Sequence, residues 1–82
     1  METIKRNGTT VPFKKEKIIE AIRRANLAVG DTDRMDKGTA QAIASSIEEY
    51  AEILEELGRT ITVEEIQDEV IERIQKAGYY RL

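Results

Sequence analysis

The sequence predicts a small α+β domain in which a β-hairpin caps a bundle of three helices. A turn-forming pair, Asn7-Gly8, separates two short segments rich in β-branched residues, as in a β-hairpin. Three later segments repeat apolar residues at intervals of three and four and stop at a glycine, as amphipathic helices do. The 82 residues are enough for one domain and too few for two.

The hairpin strands are predicted at residues 3–6 and 9–13. Asn7-Gly8 suits a two-residue type I′ turn, in which both central residues have positive φ. Pro12 has no N–H for a strand ladder, so the second strand is expected to end there or to lie at an edge. Such a hairpin is marginal alone in water and must pack on the helices.

The helices are predicted at residues 14–29, 37–57 and 63–77, with a polar loop at 31–36 and a connector at 59–61. Gly30, Gly58 and Gly78 mark their ends. Thr62 and Glu65 have the spacing of a capping box. The inward stripes are Ile18, Ala21, Ile22, Ala25 and Val29 in the first helix; Ala40, Ile43, Ala44, Ile47, Tyr50, Ala51, Leu54 and Leu57 in the second; and Val63, Ile66, Val70, Ile74 and Ala77 in the third.

The composition argues against several function classes. The chain has no cysteine and no histidine, so we expect no disulfide, no metal site and no catalytic residues. Its many carboxylates fall on exposed helix faces, and no phosphate-binding glycine loop is present. The net charge of −3 argues against nucleic acid as a partner. Without an apolar run of ~20 residues or a signal peptide, we expect a cytoplasmic protein that does not contact membranes.

Positive charge is concentrated at one end of the sequence. Residues 1–24 hold seven basic and three acidic side chains, although the whole chain is acidic. Lys14, Lys15 and Lys17 stand where a helix would begin, and there they oppose the partial positive charge of the helix N-terminus. An anion bound among them would relieve that repulsion. The pattern is equally compatible with a solvated basic helix face, and the two interpretations stay open on charge alone.

Several motifs resemble the ATP-cone family. An Ile-Lys-Arg-Asn-Gly stretch fills residues 4–8, Val-Pro-Phe follows at 11–13, and Lys17-Ile18 and Ala21-Ile22 continue the pattern. Residues 61–70 are similar to a second family motif, and Tyr79-Tyr80 to its tail. The resemblance spans nearly the whole chain. Asn7 stands where the family usually has aspartate, and either residue suits a turn.

The resemblance implies a regulatory rather than catalytic domain that binds ATP or dATP, with Mg²⁺, between the β cap and the helices. The implied phosphate contacts are Lys5, Arg6 and Lys17. The implied nucleoside pocket consists of Val11, Phe13, Ile18 and Ile22, with Lys14 at its rim and with Ile66 and Gln67 closing its far side. Some family members carry a carboxylate at Val11 that reads the adenine amine, so base selectivity here must come from other groups.

The pattern is most similar to the cone of anaerobic (class III) ribonucleoside-triphosphate reductases. Residues 1–82 would then be the N-terminal regulatory fragment of a longer protein, cut before the family's fourth helix. The implied partners are the parent's catalytic domain and a second cone in a homo-oligomer. Two alternatives remain: the cone of a transcriptional repressor of reductase genes, and a helical interaction module that binds no ligand.

Overall fold

The computed structural model describes residues 1–27 and 36–78, and for residues 25–27 only the helical backbone. Its elements are β1 (Glu2–Ile4), β2 (Thr10–Pro12), α1 (Lys15–Leu27), α2 (Lys37–Glu56), β3 (Ile61–Thr62) and α3 (Val63–Lys76). The predicted α+β class, a β cap over three helices, is confirmed. Some of the predictions from sequence fall outside the described residues. They concern the Ala25 side chain, Val29, Gly30, the loop at 31–35 and the Tyr79-Tyr80 tail. No helix in the described part has the length and apolar character to cross a bilayer.

The sheet has three strands rather than the predicted two. β1 lies in the centre, antiparallel to β2 and parallel to β3, so that Thr3 faces Val11 on one side and Ile61 on the other. The sequence predicted only a connector before α3, because a two-residue strand is too short to show alternation. Since α3 follows β3 directly, the chain leaving β1 runs beside the first turn of α3.

The predicted type I′ turn is wrong. Gly8 has a φ of 86°, but no residue other than glycine has positive φ in the described part of the chain. Gly8 N–H donates to the Lys5 carbonyl (2.9 Å), and Lys5 N–H donates to the Thr9 carbonyl (2.8 Å). These bonds define a three-residue loop, a type I turn followed by a left-handed glycine. Asn7 Oδ1 accepts hydrogen bonds from the Thr9 N–H (3.1 Å) and hydroxyl (2.7 Å), which hold the loop without a left-handed Asn7.

The hydrophobic core is built around α2, whose buried face contacts the other two helices and β3. One cluster joins α2 to α1 and α3, and a smaller one joins the end of α2 to Ile61 of β3. Phe13 and Ile66 pack against both clusters. The first contains Ile18, Ile22, Ala40, Ile43, Ala44, Ile47 and Ile74, and the second contains Ala51, Leu54 and Ile61.

Three residues predicted to point inward are exposed. Leu57 is 74% exposed because it is the C-cap of α2, beyond the last packed turn. Ala77 is likewise the exposed C-cap of α3. Ala21 is exposed on α1, where it faces a surface cleft rather than a neighbouring helix.

Polar side chains cap the N-termini of α2 and α3 and also connect the two helices to each other. Asp36 caps α2 by accepting a hydrogen bond from Thr39 N–H (2.6 Å). The predicted capping box at the start of α3 is confirmed: Glu65 N–H donates to Thr62 Oγ1 (3.1 Å), and Thr62 N–H donates to Glu65 Oε1 (3.3 Å). Arg73 crosses from α3 to α2, where its Nε donates to Ser46 Oγ (2.8 Å) and its guanidinium lies 5.9 Å from the centre of the Tyr50 ring. A pairing with Glu69 also holds this arginine.

Candidate functional site

A cleft of about 460 Å³ opens between the hairpin, α1 and α3. Its volume lies in the range of about 300–1,000 Å³ typical of small-molecule sites. The lining residues are Thr3, Lys5, Val11, Pro12, Phe13, Lys14, Lys17, Ile18, Ala21, Val63, Ile66, Gln67, Val70 and Ile71.

The floor of the cleft is apolar. Ile18 is buried at its base, and the half-buried Phe13 and Ile66 connect it to the core. Val70 lies on the α3 wall, and beyond it Ile71 is 55% exposed. Apolar and aromatic side chains of this kind present a surface on which a flat ring can rest.

Three lysines line the cleft. Lys5 follows β1, Lys14 precedes α1, and Lys17 lies in the first turn of α1, where its N–H donates to the Lys14 carbonyl (3.1 Å). All three side chains are exposed, and none has a carboxylate within 4.0 Å among residues 1–27 and 36–78. Because Lys14 and Lys17 lie at the start of α1, the partial positive charge of the helix N-terminus adds to theirs. The cleft therefore attracts anions.

Arg6 lies at the edge of the cleft and does not line it. Its Nε is 3.2 Å from Glu64 Oε1, and its Nη2 donates to Gln67 Oε1 (3.1 Å). Both partners belong to the first turns of α3, and Gln67 itself lines the cleft. The parallel pairing of β1 with β3 brings them together, because it aligns Ile4 with Thr62 and so places Arg6 beside Glu64.

Ile22 also does not reach the cleft. It is 1% exposed and belongs to the core between α1 and α2. The other predicted site residues line the cleft: Lys5, Val11, Phe13, Lys14, Lys17, Ile18, Ile66 and Gln67. Whether any of these residues contacts a nucleotide stays a prediction.

Sequence reasoning missed six of the lining residues. Val63 and Val70 share the inward stripe of α3 with Ile66, so the helical period already contained that signal. Ile71 could not be found in this way, because it lies next to the stripe and is exposed. The remaining three are Thr3, Pro12 and Ala21.

The chemistry of the cleft suits binding. None of the described residues that line it is a carboxylate, so it combines positive charge with an apolar floor. A ligand that matches both properties has an anionic end and a flat, weakly polar end. A second hollow of about 450 Å³, lined by Met1, Glu52, Glu55 and Glu56, is acidic and would repel such a ligand.

Comparison with known proteins identifies the family of the chain. A search of curated proteins found no match. The family model for the ATP cone domain matches residues 1–82. ATP-cone domains bind ATP or dATP as effectors and are regulatory rather than catalytic, usually in ribonucleotide reductases. The chain therefore belongs to the ATP-cone family.

Proposed function

We propose that the cleft beneath the hairpin is the binding site for ATP or dATP. The observation that carries the proposal is that Lys5, Lys14 and Lys17 line one cleft together with apolar side chains and with no carboxylate among the described lining residues. The triphosphate would lie against Lys5 and Lys17, within reach of Arg6 at the edge. The base would rest on the apolar floor, where burial of its ring faces stabilises the complex.

Mg²⁺ fits this site only as part of a metal–nucleotide complex. The described lining residues include no carboxylate, and carboxylate and other oxygen ligands are what Mg²⁺ prefers. The ion would be coordinated by phosphate oxygens and water, and it would lower the charge that the lysines must balance. The chain's own contribution is therefore to the phosphates rather than to the metal.

The proposed role of binding is to control a cytoplasmic reductase. Residues 1–82 would form its N-terminal regulatory domain, and the parent would be of the anaerobic (class III) kind that the motifs most resemble. A nucleotide in the cleft would contact the hairpin, α1 and α3 together. An effector changes activity only if it binds two states of the parent with different affinity. We propose that these states differ in how the cone packs on the catalytic domain or on a second cone.

Isothermal titration calorimetry tests the binding step. We expect ATP and dATP to bind the 82-residue chain, and Lys17→Met to weaken ATP binding by about 1–3 kcal/mol, roughly 5- to 150-fold in Kd. Methionine preserves the length of the side chain but removes its charge. The matched control is Lys37→Met, which removes a lysine that does not line the cleft.

Two results would contradict the proposal. One is a folded chain that gives no heat and no thermal shift at millimolar ATP. The other is an equal effect of Lys17→Met and Lys37→Met, which would mean that only the overall charge matters.

A further inference from the structure

We propose that Glu64 competes with the phosphate groups of the ligand for Arg6, and so weakens the binding of phosphorylated ligands. This inference rests on the proposed function, because it concerns the same cleft. The contact, called here the Arg6 clasp, consists of the Arg6 guanidinium, Glu64 and Gln67.

The geometry of the clasp places Arg6 next to the cleft but engaged elsewhere. Its bond to Gln67, a lining residue, keeps the guanidinium at the cleft edge, and the Glu64 carboxylate balances its charge there. A guanidinium carries five N–H groups, and among the described residues only one of those of Arg6 donates a hydrogen bond, from Nη2 to Gln67, while Glu64 is held as an ion pair. Within that part of the chain, the other N–H groups remain for an incoming anion.

The energetics favour exchange rather than permanent closure. The Arg6 and Glu64 side chains are 69% and 51% exposed, and exposed ion pairs of this kind are weak because water and salt screen them. Two oxygens of a phosphate group can accept parallel hydrogen bonds from the planar guanidinium. A polyphosphate that reaches Arg6 can therefore displace Glu64, whereas a nucleoside without phosphate gains nothing from doing so.

The exchange also changes a contact within the fold. In the clasp, the loop between β1 and β2 is tied to the first turns of α3, 58 positions further along the chain. When phosphate takes over the guanidinium, the Glu64 carboxylate is released to solvent on the outer side of α3. Ligand binding is thus coupled to the link between hairpin and α3.

Glu64→Gln tests the inference because glutamine keeps the size of the side chain but not its charge. We expect this variant to bind ATP about threefold to tenfold more tightly than the unchanged chain, and to bind adenosine equally well. The matched control is Glu49→Gln, the same change on an exposed part of α2 that does not line the cleft. It should leave both affinities within twofold.

A double-mutant cycle separates competition for Arg6 from general charge repulsion. In the Arg6→Gln background there is no guanidinium for which Glu64 and phosphate could compete. The increase in ATP affinity caused by Glu64→Gln should therefore fall below twofold. Thermal unfolding of each variant checks that it is folded.

The outcomes distinguish the two proposals. ATP binding that Glu64→Gln leaves unchanged or weakens overturns the inference alone. A gain that persists in full without Arg6 also overturns it, because the effect would then be long-range electrostatics. Failure of ATP to bind the unchanged chain and Glu64→Gln alike overturns the proposed function and the inference with it.

Discussion

Replacing Ile61 by alanine should destabilise the domain more than most single changes can. Ile61 is 1% exposed, pairs with Thr3 across the sheet, and packs against Ala51 and Leu54. Truncation of a buried isoleucine to alanine costs about 2–5 kcal/mol, whereas isoleucine to valine costs about 0.5–1.5 kcal/mol. A domain of this length has a total stability of only about 4–12 kcal/mol. Ile61→Ala should therefore remove at least about a sixth of this total, and most of it if the domain lies at the low end of the range.

Urea unfolding followed by circular dichroism measures this loss. Thermal unfolding gives a second measure: at about 4–8 °C per kcal/mol for a domain of this size, Tm should fall by roughly 8–40 °C for Ile61→Ala and by roughly 2–12 °C for Ile61→Val. Because Ile61 does not line the cleft, the folded Ile61→Val variant should keep its ATP affinity within twofold. A loss of less than about 1 kcal/mol in the free energy of unfolding for Ile61→Ala would refute the reasoning. Truncating a residue that packs β3 onto the helices must destabilise the domain by more than that.

Two further predictions concern the helix caps. Thr62→Ala should destabilise the domain by about 1 kcal/mol, because it removes the hydroxyl that accepts the hydrogen bond from Glu65 N–H. Thr62→Ser keeps that hydroxyl and should destabilise the domain clearly less in the same urea titration. Equal losses of stability for the two variants would contradict the capping role. The hydrogen bond from Thr39 N–H lowers the pKa of Asp36 from its ordinary value of 3.8, so the stability that Asp36 contributes is present above that value and is lost as pH falls through the lowered folded-state pKa. Asp36→Ala should accordingly be less stable than the unchanged chain at pH 7, with a difference that shrinks when Tm is measured below about pH 4; a difference independent of pH would exclude this linkage.

The periodic and turn-forming parts of the fold could be predicted from the sequence. The stripe of α2 placed Ala40, Ile43 and Ile47 inward, and all three are buried. The capping box required only Thr62 and Glu65 at the right spacing, because both partners lie within one helical turn. Local patterns of this kind carry their own geometry.

The predictions of the turn type and of the number of strands were wrong. They depended on the competition between similar turns and on contacts between distant parts of the chain. Asn7-Gly8 favours a two-residue turn, but the hydrogen bonds of Asn7 with Thr9 accompany a three-residue loop instead. β3 is a strand only because Ile61 pairs with β1, and no local sequence pattern predicts that pairing.

The sequence predicted the positive charge of the candidate site better than it predicted which residues line the cleft. Lys14 and Lys17 followed from their position around the start of a helix, and Lys5 from the family resemblance. The placement of Arg6 did not, because its partner Glu64 lies far along the sequence and comes near only through the parallel β1–β3 pairing. Ile22 was placed in the pocket by resemblance, but it lies on the part of α1 that packs against α2.

Mapping the bound nucleotide by NMR tests the central claim most directly. In a titration of the ¹⁵N- and ¹³C-methyl-labelled chain with ATP, we expect the largest shift changes at Lys5, Val11, Lys17, Ile66 and Gln67, with intermolecular contacts from the adenine ring to Phe13 or Ile18. Saturable binding whose shift changes cluster at the acidic hollow of Met1, Glu52, Glu55 and Glu56, and leave the cleft unchanged, would contradict the account.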